Sequence, residues 1–370
     1  MDISEKKSQV FGYFCSMYQM YMKIVACLFL WLFALAGRAQ ERLTVVEWNV
    51  ENLFDCEHDS LKNDEDFLPE GTCHWTRTRY WRKLNRVGQV LIASGSPITT
   101  FPHKGERRSE ETGERESEGT KERGQWTLPD LVGLCEVEND TVLRDLTKRS
   151  LLRKARYEYV MTDSPDQRGI DVALLYSPFS FRLIQSYSLR VEPLKEMKPT
   201  RDILYACGEM MTGDTLHVYV LHAPSRSGGE QATRPHRLHV AKRLQQAIDS
   251  VRAASPDARV LVMGDFNDGA DDASLKLICE HDMVNVSREA QGRHGARGTY
   301  RWQGDWGSLD QIVVSRSLLS HVSSCRIFDE PFLLEDDTKY GGVKPRRNYQ
   351  GPRYLNGYSD HLPLVLEIAF

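Results

Sequence analysis

The sequence lacks the marks of several common protein classes. The apolar run from Ile24 to Ala36 has thirteen residues, whereas a membrane-spanning helix needs roughly 18–20. No serine or cysteine occupies a strand-to-helix elbow that would present a nucleophile, and no two cysteines have the CxxC spacing of a zinc site. No internal repeat is visible. These absences disfavour a membrane-spanning protein, an enzyme with a serine or cysteine nucleophile, a zinc module and a repeat protein.

The chain also lacks an excess of positive charge. Its formal net charge is −4, and because residues 1–39 carry four Lys/Arg and two Asp/Glu, residues 40–370 carry −6. A polyanionic partner must therefore be held by a local basic patch. Residues 339–354 offer one, since five Lys/Arg there are interleaved with Tyr340, Tyr349 and Tyr354. An Asp-His pair follows shortly after, so we expect this loop to hang over a site.

The N-terminal segment has the order of a secretory signal peptide. Lys23 precedes the apolar run, and Gly37 and Ala39 place small residues at the −3 and −1 positions of a cleavage site before Gln40. We predict that residues 1–39 are removed and that Met22 is the true start. The short run disfavours an uncleaved anchor. The protein is therefore expected to be exported, periplasmic or extracellular, with no integral membrane segment after cleavage.

Residues 40–370 alternate strand-like and helix-like patterns, which predicts an α/β fold. Their number allows one large domain or two small ones, and we predict one. Val, Ile and Leu predominate in the predicted strands, which cover residues 43–48, 130–136, 170–176, 201–209, 215–222, 259–264, 309–315 and 363–369. Predicted helices run over Thr78–Ile92, Asn139–Lys154 and Thr233–Arg252, with Asn139 and Thr233 as N-caps.

One segment, about 94–125, has almost no aliphatic residues. Residues 104–124 contain seven Glu and six Lys/Arg mixed with Gly, Ser and Thr. Such a composition cannot bury enough apolar surface to offset its ordering entropy. We predict a disordered surface insertion, and its nearly balanced charge disfavours a role as a binding arm.

Three short motifs place polar side chains beside apolar runs: WNVEN at 48–52, GDFND at 264–268 and SDHLP at 359–363. Loops held by rigid strands are where α/β proteins place their chemistry. The carboxylates and amides suit a hard divalent cation, and an adjacent histidine can handle protons or charge on a phosphate. The motifs together predict a metal-dependent phosphoesterase.

Several of these side chains are expected to share one face. Asn49 and Glu51 point the same way from an extended segment, as do Asp265 and Asn267. Glu136 ends the apolar run 131–135, where a carboxylate can ligate a cation. Each residue alone is more simply explained as a turn, a cap or a solvated charge. Their combination carries the prediction.

Two histidines complete the set. Asp310 lies in an apolar run, and a buried aspartate is costly without a partner. His361, next to Asp360, is the economical partner because Asp310 would orient and charge its imidazole. His222 ends a strand and opens the loop APSRSGG, which offers hydrogen bonds to a phosphate or is simply a polar turn.

These motifs, with CEVEN around Glu136 and LDQI around Asp310, occur in the order found in the endonuclease/exonuclease/phosphatase superfamily. The resemblance spans about 43–370 except the insertion, and is closest to secreted bacterial members of unassigned substrate with the NVENLFD opening and the PSRSGG loop. It implies an α/β fold of DNase I-like type: a four-layered sandwich of two mixed β-sheets packed face to face, with flanking helices.

The resemblance also implies a metal site. Glu136 corresponds to the main Mg²⁺ ligand, with Glu51 and Asp360 nearby, and Mn²⁺ is an alternative ion. The family's contacts vary at Arg168 and Asp171, so the resemblance assigns them no role.

Catalytic roles follow by the same similarity. Asp265 is expected to activate the attacking water, while Asn49 and Asn267 steady the phosphoryl oxygens. His361, paired with Asp310, contacts the scissile phosphate or acts as the base. His222 takes the place of a second, acid-like histidine.

The substrate is less determined by the sequence. A nucleic-acid phosphodiester is favoured by the basic and aromatic residues of 339–354. A lipid headgroup or small phosphoester is the alternative, and a non-catalytic binding module is disfavoured because every expected catalytic position is filled. We expect a monomer. Cys56 and Cys73 bracket one plausible disulfide loop, and Cys135, in an apolar run, is expected to be a buried thiol.

Overall fold

The computed structural model describes residues 21–23, 42–95 and 127–370. Residues 42–370 belong to one compact unit, and residues 1–41 form a separate one, of which only the helical residues 21–23 are described. The predicted signal peptide and nearly all of the predicted insertion at 94–125 lie outside the described residues. In the stretches that are described, no helix is long and apolar enough to span a membrane.

The first sheet has six strands in the order β13-β18-β1-β2-β4-β3. Its central pair, β1 and β2, is parallel, and every other pairing is antiparallel. The strands are β1 Arg42–Leu53, β2 Leu131–Val137, β3 Glu158–Met161, β4 Asp171–Tyr176, β13 Val322–Ile327 and β18 Leu364–Ala369.

The second sheet also has six strands, in the order β5-β6-β7-β8-β12-β9. Again the central pair, β7 and β8, is parallel and the others are antiparallel. The strands are β5 Phe181–Leu189, β6 Ile203–Met210, β7 Thr215–His222, β8 Arg259–Asp265, β9 Met283–Asn285 and β12 Asp310–Ser315. Three short hairpins lie outside the sheets: β10 Tyr300–Trp302 with β11 Asp305–Gly307, β14 Leu334–Asp336 with β15 Val343–Pro345, and β16 Tyr349–Gln350 with β17 Arg353–Tyr354.

The two sheets pack face to face, with helices on their outer sides. One core fills the space between the sheets and continues under helix α1, Arg77–Ser94. A second core lies between the second sheet and helix α3, Glu230–Ala254. The shorter helices are α2 Asp140–Arg144, α4 Ala273–Ile278 and α5 Arg316–Leu319. The DNase I-like sandwich expected from the sequence is therefore confirmed.

The elements agree with the sequence predictions, with two corrections. All eight predicted strands are present. The predicted helix Asn139–Lys154 is broken into an α-helical turn, a π-helical stretch and a 3-10 turn that begins after Ser150. Asn139 does cap its start by accepting a hydrogen bond from the Val142 amide at 3.0 Å. Helix α3 begins at Glu230, with Gly229 and not Thr233 at its N-cap, so Pro235 lies inside the helix, in its second turn.

The topology brings polar strand ends to one edge of the sandwich. Parallel neighbours end at the same edge, so the last residues of β1 and β2 lie together, as do those of β7 and β8. Strands β12 and β18 run antiparallel to these and start at that edge. Six strand ends from two sheets therefore converge on one place.

We predict that replacing Pro102–Gly124 with a short Gly/Ser linker changes stability little. The free energy of closing a loop varies only slowly with its length, and the segment has few apolar groups to contribute to a core. Thermal melts of the deletion variant and the full chain test this. A drop in Tm of ten degrees or so would mean that the segment packs on the domain.

Candidate active site

The first sheet contributes an acidic edge. Asn49 and Glu51 lie at the end of β1 and Glu136 at the end of β2. Glu51, Asn52 and Glu136 have left-handed φ angles of 54°, 50° and 66°, which non-glycine residues rarely adopt. The amide of Asn52 donates to Glu136 Oε2 at 2.8 Å. Such strain persists where the surrounding structure over-determines it, and it often marks functional sites.

The second sheet contributes three buried groups. His222 and Asp265 are paired at the ends of β7 and β8, and Asp265 is paired with Asp310 of β12. Asn267, at φ 50°, follows in the turn and donates from Nδ2 to the carbonyl of Ala223 at 3.1 Å.

Gly264 is required just before this aspartate. A Cβ at that position would lie 1.9 Å from the carbonyl oxygen of Leu221, and the φ of 148° is unfavourable for other residues. Gly264 therefore lets strands β7 and β8 approach closely.

A hydrogen bond joins the two sheets at this edge. Asn49 donates from Nδ2 to Asp265 Oδ2 at 3.0 Å and accepts from the Glu51 amide at 3.0 Å. Both side chains are almost fully buried. Asn49 therefore fixes Asp265 relative to the acidic residues of the first sheet.

His361 and Asp310 form the pair that the sequence predicted. His361 Nδ1 lies 2.7 Å from Asp310 Oδ2, and Asp310 is fully buried. The loop is held by Trp48, which donates to the His361 carbonyl, and by Ser359, whose hydroxyl donates to the Asn49 carbonyl. Burial alone would lower the pKa of His361, but the Asp310 charge and hydrogen bond, with Asp265 and Asp360, hold it well above its usual range. The imidazole is therefore a cation at neutral pH.

Asp265 lies between the two histidines. Its Oδ2 is 3.5 Å from His222 Nε2 and 3.9 Å from His361 Nε2. Burial raises the pKa of Asp265 to about 7, against the opposing charge of His361. A carboxyl group with a pKa near neutrality is suited to act as a general base.

His222 has the opposite protonation to His361. Burial, followed by the charges of Arg201 and Arg168, lowers the pKa of His222 well below its usual range. Its Nδ1 is buried and makes no hydrogen bond within residues 42–95 and 127–370. A neutral imidazole can donate or accept a hydrogen bond, but it does not carry the positive charge of an acid.

The three predicted metal ligands lie near enough to a buried lysine, missed by the sequence analysis, to influence its pKa. Lys83 of α1 is 1% exposed, and its ammonium donates to the Tyr358 carbonyl. Burial lowers the pKa of Lys83 to about 8, while Glu51, Asp360 and Glu136 oppose that shift. A lysine in the middle of a helical pattern carries no signal that it points into an acidic cluster.

The loop after β15 also holds these carboxylates. Arg347 donates to Asp360 Oδ2 at 2.9 Å. The carboxylate of Glu51 accepts from the amides of Asn348 and Tyr349 at 2.6 and 3.0 Å. Burial and then the charge of Asp360 raise the pKa of Glu51 to about 7. Glu51 therefore anchors the loop as well as belonging to the acidic group.

Oxygen ligands for a divalent cation are present here. Glu136 has one carboxylate oxygen available, because among the described residues its Oε1 makes only a 3.7 Å ion pair, with Arg168. Glu51 and Asp360 supply further oxygens, which are the ligands that Mg²⁺ prefers. Asp265, Asp310 and His361 form another compact group, with ligand atoms within 4.8 Å of one another. In that group the Asp310–His361 bond already occupies one nitrogen and one oxygen.

Arg168 and Asp171 have different surroundings. Arg168 reaches the site edge and donates to Asn52 Oδ1 at 2.6 Å. Asp171 turns inward, where it accepts hydrogen bonds from the Thr162 hydroxyl and the Ser164 amide. Asp171 is thus a structural residue of the β3–β4 connection.

The basic and aromatic loop 339–354 does hang over the site, but two of its tyrosines face inward. Tyr349 is buried and donates to the Cys73 carbonyl at 2.9 Å, and Tyr354 packs against it with ring centroids 5.3 Å apart. These two rings are unavailable for stacking on a base.

A different aromatic surface borders the site. Tyr300 packs on the His361 ring with centroids 4.8 Å apart. Two residues along the same strand, Trp302 is 61% exposed. Tyr340, 45% exposed, packs on Gly304 of the same hairpin, and the Lys339 ammonium lies 4.6 Å from its ring centroid. We name Trp302, Lys339 and Tyr340 the aromatic rim.

The disulfide that Cys56 and Cys73 could have formed is not present. All six cysteines of the described stretches are free thiols. Cys56 donates instead to the Trp75 carbonyl at 3.3 Å. Cys135 is a buried thiol, as expected.

The fold and the site define a metal-dependent phosphoesterase. The family model described as endonuclease/exonuclease/phosphatase family matches residues 44–97 and 117–369, and the chain belongs to this family. The gap between the two matched stretches falls within the predicted insertion. No curated protein sequence matches the chain.

Solved structures have the same fold at low sequence identity. An endonuclease/exonuclease/phosphatase family protein from Bacteroides thetaiotaomicron is 16% identical, with a TM-score of 0.55 over 89% of this chain and 98% of that one. A mannosyl-6-phosphatase from the same organism is 17% identical, with a TM-score of 0.55 over 89% and 100%. TDP2 from C. elegans is 13% identical, with a TM-score of 0.52 over 89% and 75%.

Proposed function

We propose that the protein is an exported, Mg²⁺-dependent phosphoesterase that hydrolyses a phosphodiester by direct attack of water. The observation that carries this proposal is the placement of Asp265. A buried carboxyl group with a pKa of about 7 lies beside the charged His361–Asp310 pair and opposite an acidic cluster. General base, phosphate-binding cation and metal ligands thus meet at one edge.

The protein's own residues divide the work. Asp265 would accept the proton of the attacking water, and Asn49 keeps that carboxylate in place. His361 would bind a non-bridging phosphoryl oxygen through its free Nε2–H, because Nδ1 is engaged by Asp310. Neutral His222 and Asn267 would add hydrogen bonds on the other side of Asp265.

The metal belongs at the acidic edge. We propose that Glu136, Glu51 and Asp360 hold one Mg²⁺, with Mn²⁺ as a substitute. When bound, the ion supplies positive charge to the phosphoryl group and to the leaving oxygen. Lys83 and Arg347 lower the negative charge of the cluster from within, which favours one ion over two.

We propose a nucleic acid as the substrate, bound at the aromatic rim. Exposed aromatic side chains stack on bases, and a nearby cation attracts the phosphate backbone. We predict that Trp302→Ala raises KM for a single-stranded oligonucleotide about tenfold and leaves kcat nearly unchanged, since stacking contributes about 1–3 kcal/mol per base.

The control for this prediction is Phe179→Ala, which removes another exposed aromatic ring from the opposite end of the sandwich. It should leave both constants unchanged. An equal effect of Trp302→Ala on KM for bis-p-nitrophenyl phosphate would contradict a role in stacking bases.

A small phosphoester is the second candidate substrate. It is favoured by the negative charge of residues 40–370, by the burial of Tyr349 and by the partial burial of Tyr354. A structural neighbour with the same fold is a mannosyl-6-phosphatase. A panel of plasmid DNA, RNA, sphingomyelin, inositol phosphates and mannose 6-phosphate distinguishes the candidates. Hydrolysis of a monoester alone would overturn the nucleic-acid proposal.

We propose export because of the order Lys23, apolar run, Gly37-Arg38-Ala39. We predict that the mature protein begins at or near Gln40 and is a monomer. N-terminal sequencing of protein recovered from outside the cytoplasm tests the first statement. A mature chain that still includes residues upstream of Ile24 would contradict it.

A further inference from the structure

A carboxyl group that no step above uses lies directly beneath the site. Glu47 of β1 is fully buried. Alternate residues of a strand share a face, so Glu47 points the same way as Asn49, toward the second sheet. It lies one side-chain layer deeper than the bond between Asn49 and Asp265.

The surroundings of Glu47 are apolar except for the catalytic residues. Within its sheet it is paired with Gly133 and Leu364. Met263 of the second sheet fills the space above Gly133, where a Cβ would lie 2.8 Å from the Met263 sulfur. Neither oxygen of Glu47 has a hydrogen-bond partner in residues 42–95 and 127–370.

One oxygen of Asp310 is likewise buried without a hydrogen-bond partner among these residues. Its Oδ2 is bound to His361, but its Oδ1 is buried and unpartnered within the described parts of the chain. Asp310 is also the neighbouring charge that most strongly raises the pKa of Glu47, after burial itself. An ionised Glu47 would be a buried anion with no cation of its own, which is strongly unfavourable.

We propose that Glu47 is a positioning residue that stays uncharged in the folded enzyme, so that no second buried anion competes with Asp310, which orients His361. This inference rests on the role proposed above for His361. The neutral acid supplies a dipole beside Asp310, which an apolar side chain of the same size would not.

The groups that face Glu47 allow this assignment. They come from every element packed against it: Asp310 of β12, Asp265 of β8, His361 before β18, Cys135 of β2 and Cys325 of β13. His361 bonds to Asp310 at 2.7 Å, whereas neither oxygen of Glu47 has a hydrogen-bond partner within residues 42–95 and 127–370. The glutamate is therefore the group that keeps its proton.

Two variants of similar size separate charge from polarity. Glu47→Gln keeps a neutral polar group, and Glu47→Met keeps the length but removes the dipole. With bis-p-nitrophenyl phosphate as the probe, Glu47→Gln should retain kcat within about twofold. Glu47→Met should lose kcat about tenfold or more with KM little changed, because an interaction made in the transition state is weakened. Equal kcat for the two variants would overturn the proposal.

The imidazole pKa of His361 gives a readout that does not need activity. In histidine-labelled protein, assigned with His361→Ala, Glu47→Gln should leave this pKa within about 0.3 unit of the unmutated value. Glu47→Met should lower it, because the polar group beside the Asp310–His361 pair is lost. A fall of about one unit or more in Glu47→Gln would mean that Glu47 is ionised, and would overturn the proposal.

Stability against pH is the third readout. The folded state holds the Glu47 proton above the pH at which the unfolded chain releases it, about 4.3. The Glu47 proton therefore contributes a part of the free energy of unfolding that the unmutated protein loses as pH rises beyond that value. Glu47→Gln cannot ionise, so it does not show this loss. The Tm difference between them should widen by a few degrees from pH 4 to pH 8.

The surface variant Glu158→Gln makes the same chemical change at an exposed position, and its Tm curve should stay parallel to that of the unmutated protein. A parallel curve for Glu47→Gln would overturn the proposal. If the Tm and imidazole results hold but neither Glu47 variant hydrolyses the probe, nor does the unmutated protein, then the proposed function fails while the charge assignment stands.

Discussion

His361→Ala is expected to lower kcat by about 10²–10⁴-fold, the range over which a positioned proton-transfer or charge-stabilising side chain contributes. Asp310→Asn should lower kcat through the same step, since Asp310 lies 2.7 Å from the imidazole and holds it charged. The double variant should be little worse than His361→Ala, because residues that act as one unit are non-additive. Steady-state kinetics of the three variants measure this.

The pH profile gives a second check on the same pair. The His361 charge lowers the pKa of Asp265, so its removal should shift the rising limb of kcat/KM to higher pH. A matched control exists outside the site: His58 Nδ1 lies 2.6 Å from the buried Asp64. His58→Ala should leave kcat unchanged. Additive kinetic losses, or a well-folded His361→Ala with near-normal kcat, would contradict the assignment.

Removal of the metal should abolish turnover. The acidic cluster offers oxygen ligands only, so exhaustive dialysis with EDTA should remove activity and Mg²⁺ or Mn²⁺ should restore it. Glu136→Gln should lower kcat/KM by about 100-fold or more at millimolar Mg²⁺, with partial recovery at higher concentration. Binding to the folded state also raises Tm, so Mg²⁺ should stabilise the unmutated protein and affect Glu136→Gln little.

Glu138→Gln is the control for this series. Glu138 is a half-buried carboxylate two residues along the chain, and it accepts from the Asp55 amide at 2.7 Å outside the acidic cluster. Its Mg²⁺ dependence should match that of the unmutated protein. Full turnover in EDTA, or a Glu136→Gln variant with unchanged Mg²⁺ titration, would refute the assigned metal site.

The sequence predicted the interior of the fold better than its periphery. Strands such as β8 are continuous apolar runs that end in Gly264 and Asp265, so a few residues are enough to predict where they begin and end and that they are buried. The hairpin β10–β11 and the short pairs after β13 are held by tertiary contacts, such as Arg301 donating to the carbonyl of Gly341 at 2.7 Å. A local pattern cannot carry that information. Helix 139–154 breaks where the Ser150 side chain caps a new turn.

The site residues that could be predicted are those that lie in short motifs rich in polar side chains. His361 and Asp310 are 51 residues apart, yet a buried aspartate beside a lone histidine was enough to pair them. Lys83 and Glu47 were missed as site residues because each belongs to an ordinary local pattern, and Arg347 was predicted only as one cation of the loop 339–354. Only the packing of α1, the loop after β15 and the two sheets turns them toward the cluster. Long-range placement, not residue type, gives them their roles.

The division of the site between the two sheets has a consequence for folding. Glu51 and Glu136 lie at the ends of β1 and β2, and the proposed base, Asp265, lies at the end of β8. An intermediate in which one sheet has formed alone would have a normal circular dichroism signal for that sheet and no turnover. Recovery of enzymatic activity therefore reports the docking of one sheet on the other, a later event than the growth of either.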